Sequence, residues 1–132
     1  MKSVLFVCVE NSNRSQMAEA FARMHGGGAV QAASSGSRPS GRINPKAIEA
    51  MRELGYDLTT HASKGLEAFN GTAVDVAVTM GCGDECPLVV ARRREDWQIP
   101  DPRDMSPAQF REVRDLIEQK VLALLSSLDG SC

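Results

Sequence analysis

An apolar run that ends at a cysteine and gives way, six residues later, to a helical pattern constrains this chain most. Lys2 to Val7 reads KSVLFV, rich in β-branched and aromatic residues, as a buried parallel strand requires. Cys8-Val9-Glu10-Asn11-Ser12-Asn13-Arg14-Ser15 follows, and from Ser15 onward SQMAEAFARMH consists mostly of good helix formers. A loop joining a strand to a helix gathers unpaired backbone N–H groups at the positive end of the helix dipole, which makes it a cradle for an oxyanion. A thiol at its first residue sits in that field, which favours the thiolate. Arg14 offers a planar fork for two oxygens of a tetrahedral anion, and Ser15 can donate its hydroxyl proton to the sulfur. Asn11 suits the left-handed backbone that a tight anion nest uses. Residues 9–14 are therefore the candidate anion-binding loop and Cys8 the candidate nucleophile.

The rest of the chain alternates strand and helix, which predicts an α/β fold of three layers, with a parallel sheet between helices. Ala29 to Ala33 is the expected second strand, ending in the turn-rich Ser34-Ser35-Gly36-Ser37-Arg38-Pro39-Ser40-Gly41. A second helix is expected from Asn44 as N-cap and Pro45 as first residue to a stop at Gly55, with Ala47, Ile48, Met51 and Leu54 as its apolar stripe. A short helical piece is expected around Leu66 to Phe69, and Val74 to Thr79 is the third strand. Trp97 to Ile99 is expected as the last strand. Ser106-Pro107-Ala108-Gln109 is a capping box that opens a final helix, buried along Phe110, Val113, Ile117, Val121 and Leu124 to about residue 127.

At 132 residues the chain is expected to be one domain, residues 1–132, with no linker and no repeat. Fifteen basic and seventeen acidic residues give a net charge of -2, which argues against a general nucleic-acid binder. No signal-peptide pattern and no bilayer-length apolar run is present, so a cytoplasmic protein is expected, without membrane attachment. Four cysteines (Cys8, Cys82, Cys86 and Cys132) in such a chain point to catalysis or redox exchange. For zinc the set is poor, because His25 and His61 show no ligand spacing around Cys82 and Cys86. Neither metal nor other cofactor is expected. The run Arg92-Arg93-Arg94 is expected on a solvated face, where it could also draw anions or an acidic partner.

The chain resembles the arsenate reductases that share the low-molecular-weight protein tyrosine phosphatase fold. The marks are Cys8-x-x-Asn11-Ser12-x-Arg14-Ser15-Gln16-Met17-Ala18-Glu19, Asn44-Pro45-x-Ala47-Ile48, Val78-Thr79-Met80-x-Cys82, Cys86-Pro87 and Asp101-Pro102. The resemblance spans essentially the whole chain and implies a four-stranded parallel sheet flanked by helices. It implies that Cys8 attacks arsenate, that Cys82 attacks the Cys8 sulfur so that arsenite leaves, and that Cys86 then takes the disulfide from Cys82. Thioredoxin is the implied electron donor, with glutaredoxin and glutathione as the alternative. Gly81 and Gly83 would give Cys82 its backbone freedom. On a helix the four-residue spacing of Cys82 and Cys86 puts their Cα atoms about 6 Å apart, within reach of a disulfide.

Asp101, beside Pro102, matches the general acid of the phosphatases. Cys132 is read as a free tail thiol, and a monomer is expected. Several relatives hold potassium through side chains matching Asn11, Glu19, Ser34 and a carboxylate after His61. Here that last position is Lys64, whose ammonium is expected to stand in for the cation, so no potassium requirement is expected. A true tyrosine phosphatase using Cys8, Arg14 and Asp101 is the rival reading. Against it, Arg103-Asp104-Met105 replace the aromatic residues that grip a substrate ring in phosphatases of this fold.

Overall fold

A computed structural model of the chain describes residues 2–8, 13–27, 30–36, 41–61, 73–80, 90–100, 102 and 104–129. The elements in chain order are β1 (Lys2–Cys8), α1 (Arg14–Gly26), β2 (Val30–Gly36), α2 (Pro45–Arg52), a 3₁₀ turn (Leu58–Thr60), β3 (Ala73–Thr79), β4 (Val90–Asp96) and α3 (Pro107–Asp129). Among the described residues the four strands form one parallel sheet in the order β2-β1-β3-β4. This is the expected α/β architecture, and it puts β1 in the middle.

Val4, Leu5, Phe6 and Val7 are accordingly almost fully buried, because a central strand of a covered sheet has no solvent face. Val4, Phe6 and Cys8 share one core cluster with α1, α2 and α3, while Leu5 and Val7 form a second, smaller cluster. Three alanines of α1, Ala18, Ala20 and Ala22, are fully buried and keep the helix close to its neighbours. Phe110, Val113, Ile117, Val121 and Leu124 line the inner face of α3 as their 3.6-residue spacing predicts. The capping box at its start is formed in both directions: Gln109 Oε1 accepts from Ser106 N at 3.2 Å, and Ser106 Oγ accepts from Gln109 N at 3.3 Å.

Three expectations need correction. The last strand is β4, Val90–Asp96, and not Trp97 to Ile99. β4 is an edge strand, so its sequence VARRRED shows little of the apolar alternation that marks a strand. Trp97 and Ile99 follow it as buried core residues. The arginine run is exposed, as expected, but on a strand. β2 extends through Ser34, Ser35 and Gly36, which pair with Phe6, Val7 and Cys8; pairing along β1 overrides the turn preference of these residues. Leu54 is 38% exposed rather than part of the buried stripe of α2. The helix ends at Arg52, and a turn through Gly55 at φ 83° carries Leu54 off the packed face. The expected helical piece around Leu66 to Phe69 lies outside the described residues.

α2 begins as its sequence dictates, with Asn44 Oδ1 accepting from Lys46 N at 2.9 Å. Its far end is tied to α3 through Glu53. Arg111 donates to that carboxylate from Nε and Nη2, and Arg114 Nη1 donates to it at 2.8 Å. The Arg111 hydrogen bond, aided by Arg114, holds the Glu53 carboxyl below its ordinary value of 4.5. A carboxyl depressed in the folded state adds stability above its unfolded value and loses it as pH falls through the lower folded value. Glu53→Gln is therefore expected to narrow the difference in urea midpoint between pH 6 and pH 3. An unchanged difference would show that the linkage adds nothing.

Candidate active site

Cys8 is the last residue of β1, 3% exposed, and pairs with Gly36 of β2. Ser15, in the first turn of α1, is fully buried, and its Oγ lies 2.8 Å from Cys8 Sγ. The strand end thus meets the helix start, as the intervening five residues require. The N-terminus of α1 carries no acidic residue in its first turn, so its positive end is left for an anion. Asn13 is the N-cap by position, and its carbonyl accepts from Met17 N at 2.9 Å. Among the described residues its side chain makes no capping hydrogen bond, and its buried Oδ1 has no partner.

Arg14 is 8% exposed. Its Nη1 donates to two main-chain carbonyls, Met80 O at 2.7 Å and Ile99 O at 2.9 Å. Each hydrogen bond from a charged donor of this kind contributes about 1.5–3 kcal/mol. Because both protons of Nη1 are used, the guanidinium plane is set, and the parallel N–H pair on its Nε–Nη2 edge is presented as a fork. Met80 is held in turn by its own N–H, which donates to Val7 O at 3.1 Å.

Behind the site lies a polar cluster that the sequence only partly announced. Glu19 of α1 is 2% exposed. It accepts from Ser34 Oγ at 2.6 Å and pairs with Arg23 Nη2 at 2.8 Å. Arg23 is one helical turn on from Glu19, so a cation of α1 itself offsets the buried carboxylate. His61 Nδ1 faces both Gln16 Oε1, at 3.0 Å, and Glu19 Oε2, at 3.7 Å. Its Nε2 lies 2.6 Å from the Tyr56 hydroxyl, whose titration burial raises above the ordinary value. Gln16, Glu19 and Arg23 share one helical face by spacing alone. Ser34, Tyr56 and His61 carry no such local signal.

Of the expected site residues, the structure sets Cys8 against Ser15, and Asn13 and Arg14 directly precede Ser15 at the start of α1. Val9, Glu10, Asn11, Ser12, Lys64, Cys82, Cys86, Asp101 and Cys132 lie outside the described residues.

Residues 3–131 match the family described as low molecular weight phosphotyrosine protein phosphatase. This chain belongs to that family. Its sequence is 40% identical over 131 residues to a protein of Synechocystis named "Glutaredoxin arsenate reductase", covering 97% of this chain and 99% of the other. A solved structure described as "An arsenate reductase in the phosphate binding state" superposes with a TM-score of 0.88 at 40% identity, covering 96% of this chain and 98% of that one. A thioredoxin-dependent arsenate reductase of Corynebacterium glutamicum superposes at 0.82 with 29% identity, covering 100% of this chain and 64% of the other. The superpositions show that this chain shares the fold of these proteins. Among the described residues no helix is long and apolar enough to cross a membrane.

Proposed function

We propose that this chain reduces arsenate to arsenite by a relay of three thiols, with Cys8 as the nucleophile. The observation that carries the reading is Cys8 Sγ at 2.8 Å from Ser15 Oγ, beside the buried Arg14, in a chain 40% identical to an arsenate reductase over nearly its whole length. The N–H groups of residues 9–14 and the Arg14 fork hold the tetrahedral anion. The Cys8 thiolate attacks arsenic(V), and an oxygen protonated by Asp101 leaves as water. Cys82 thiolate then attacks the Cys8 sulfur. The S–As electron pair passes to arsenic, which leaves as arsenite, and a Cys8–Cys82 disulfide remains. Cys86 attacks Cys82, frees Cys8 as thiolate, and leaves Cys82–Cys86 for an external dithiol to reduce.

Thioredoxin is the proposed donor, and glutaredoxin with glutathione is the alternative; relatives of this chain are named for both. The protein is proposed to act in the cytoplasm as a single-domain monomer. It is also proposed to need no potassium: Arg23 supports this by pairing with Glu19, the role expected of Lys64.

Disulfide mapping tests the relay. Reduced protein treated with arsenate in the absence of reductant is expected to yield Cys82–Cys86, and its Cys86→Ser variant a trapped Cys8–Cys82. Neither disulfide, with steady hydrolysis of phosphotyrosine instead, would favour the phosphatase reading.

A further inference from the structure

The two carbonyls held by Arg14 stand at the roots of two different chain segments. Met80 is two residues before Cys82, and Ile99 is two residues before Asp101. Both roots are buried, Met80 at 0% and Ile99 at 2% exposure, and one nitrogen, Nη1, bonds both at 2.7 and 2.9 Å. Strand-type pairing reaches Met80 through its N–H to Val7 O, but among the described residues it does not use either carbonyl. β3 ends at Thr79 and β4 at Asp96, so each carbonyl lies beyond the sheet ladder.

We infer that Arg14, besides binding the oxyanion, is the positioning residue for thiol transfer: it cross-links the roots of the Cys82 and Asp101 segments. The inference rests on the proposed relay and adds a role in its second step. The guanidinium suits both tasks, because one planar group bonds two carbonyls from Nη1 and grips an anion from its opposite edge. A lysine ammonium keeps the charge, yet it is a single point at the end of a flexible stem and cannot hold all three partners in one plane.

The two roles separate when Cys8 is oxidised without any oxyanion. Hydrogen peroxide converts the Cys8 thiolate to a sulfenic acid and releases hydroxide. The Cys82 thiolate then attacks that sulfur, expelling a second hydroxide and forming Cys8–Cys82. The background is Cys86→Ser with Cys132→Ser, which leaves these two cysteines, and disulfide formation is followed by mass spectrometry after acid quench. The sulfenic-acid step is timed separately by dimedone labelling with Cys82→Ser added.

Arg14→Lys is expected to slow disulfide formation from the sulfenic acid at least tenfold. Equal rates with and without the substitution would overturn the inference while leaving the cysteine assignments intact. Failure of the Arg14-containing background to form the bond would instead sink the assignment of Cys82, and this inference with it. Should the lysine variant fail to fold, the unsubstituted protein carries the test. Phosphate fixes the guanidinium from its free edge, so it is expected to slow amide hydrogen exchange at residues 80–86 and 98–101. Unchanged exchange in both segments would overturn the inference.

Discussion

Cys8→Ser is expected to lower arsenate reduction by on the order of 10⁵-fold or more, the scale seen when an enzyme loses its nucleophile. A serine hydroxyl at that position is a far weaker nucleophile than a thiolate, and it cannot enter a disulfide relay. The variant is nonetheless expected to fold and to bind oxyanions. The substituted hydroxyl can keep the hydrogen bond to Ser15 that Cys8 Sγ makes at 2.8 Å, so the buried position is not left unsatisfied. Arg14 and the start of α1, the proposed anion grip, are untouched. Calorimetry with phosphate is expected to give an affinity within about tenfold of the parent, the change that one altered contact of about 1.4 kcal/mol makes. Arsenate turnover within tenfold of the parent would remove Cys8 from the nucleophile's role. Loss of anion affinity together with turnover would show that the sulfur mainly holds the pocket in shape.

The second large effect falls on stability. Glu19→Ala removes a carboxylate that is 2% exposed and leaves Ser34 Oγ and His61 Nδ1 in the interior without it. Breaking a buried charged cluster in this way costs about 3–5 kcal/mol when both partners are enclosed. Here Arg23 is 53% exposed and can rehydrate, so the smaller figure of about 2–4 kcal/mol applies. For a chain of this size that corresponds to a fall in Tm of roughly 10 °C. Glu19→Gln retains an acceptor for Ser34 and is expected to recover part of the loss. A Tm change of less than about 2 °C for the alanine variant would show that the cluster is not a structural anchor. Arsenate turnover measured well below both midpoints then tells whether the cluster also shapes the site.

The candidate nucleophile and its immediate neighbours were legible because they are local. Cys8, Arg14 and Ser15 lie within eight residues, and a strand followed by a helix can join across five residues in few ways. The burial of α3 was legible for the same reason, since its stripe repeats within a single element. β4 was not. An edge strand is bonded on one side and wet on the other, so arginines serve there and little apolar alternation marks it. Ser34 was hidden differently: serine beside glycine favours a turn in isolation, whereas pairing with Phe6 and a hydrogen bond to Glu19 hold it in a strand.

The amino-acid order alone determined where a thiol, an arginine and a hydroxyl would meet, because helix and strand periodicities act over a few residues and are written in side-chain type. Tertiary structure decided what holds the arginine. Its partners are the main-chain carbonyls of Met80 and Ile99, 66 and 85 residues away. Every residue type carries the same carbonyl, so no choice of side chain at those positions could have announced them. Only the folded path of the backbone brings them to Arg14.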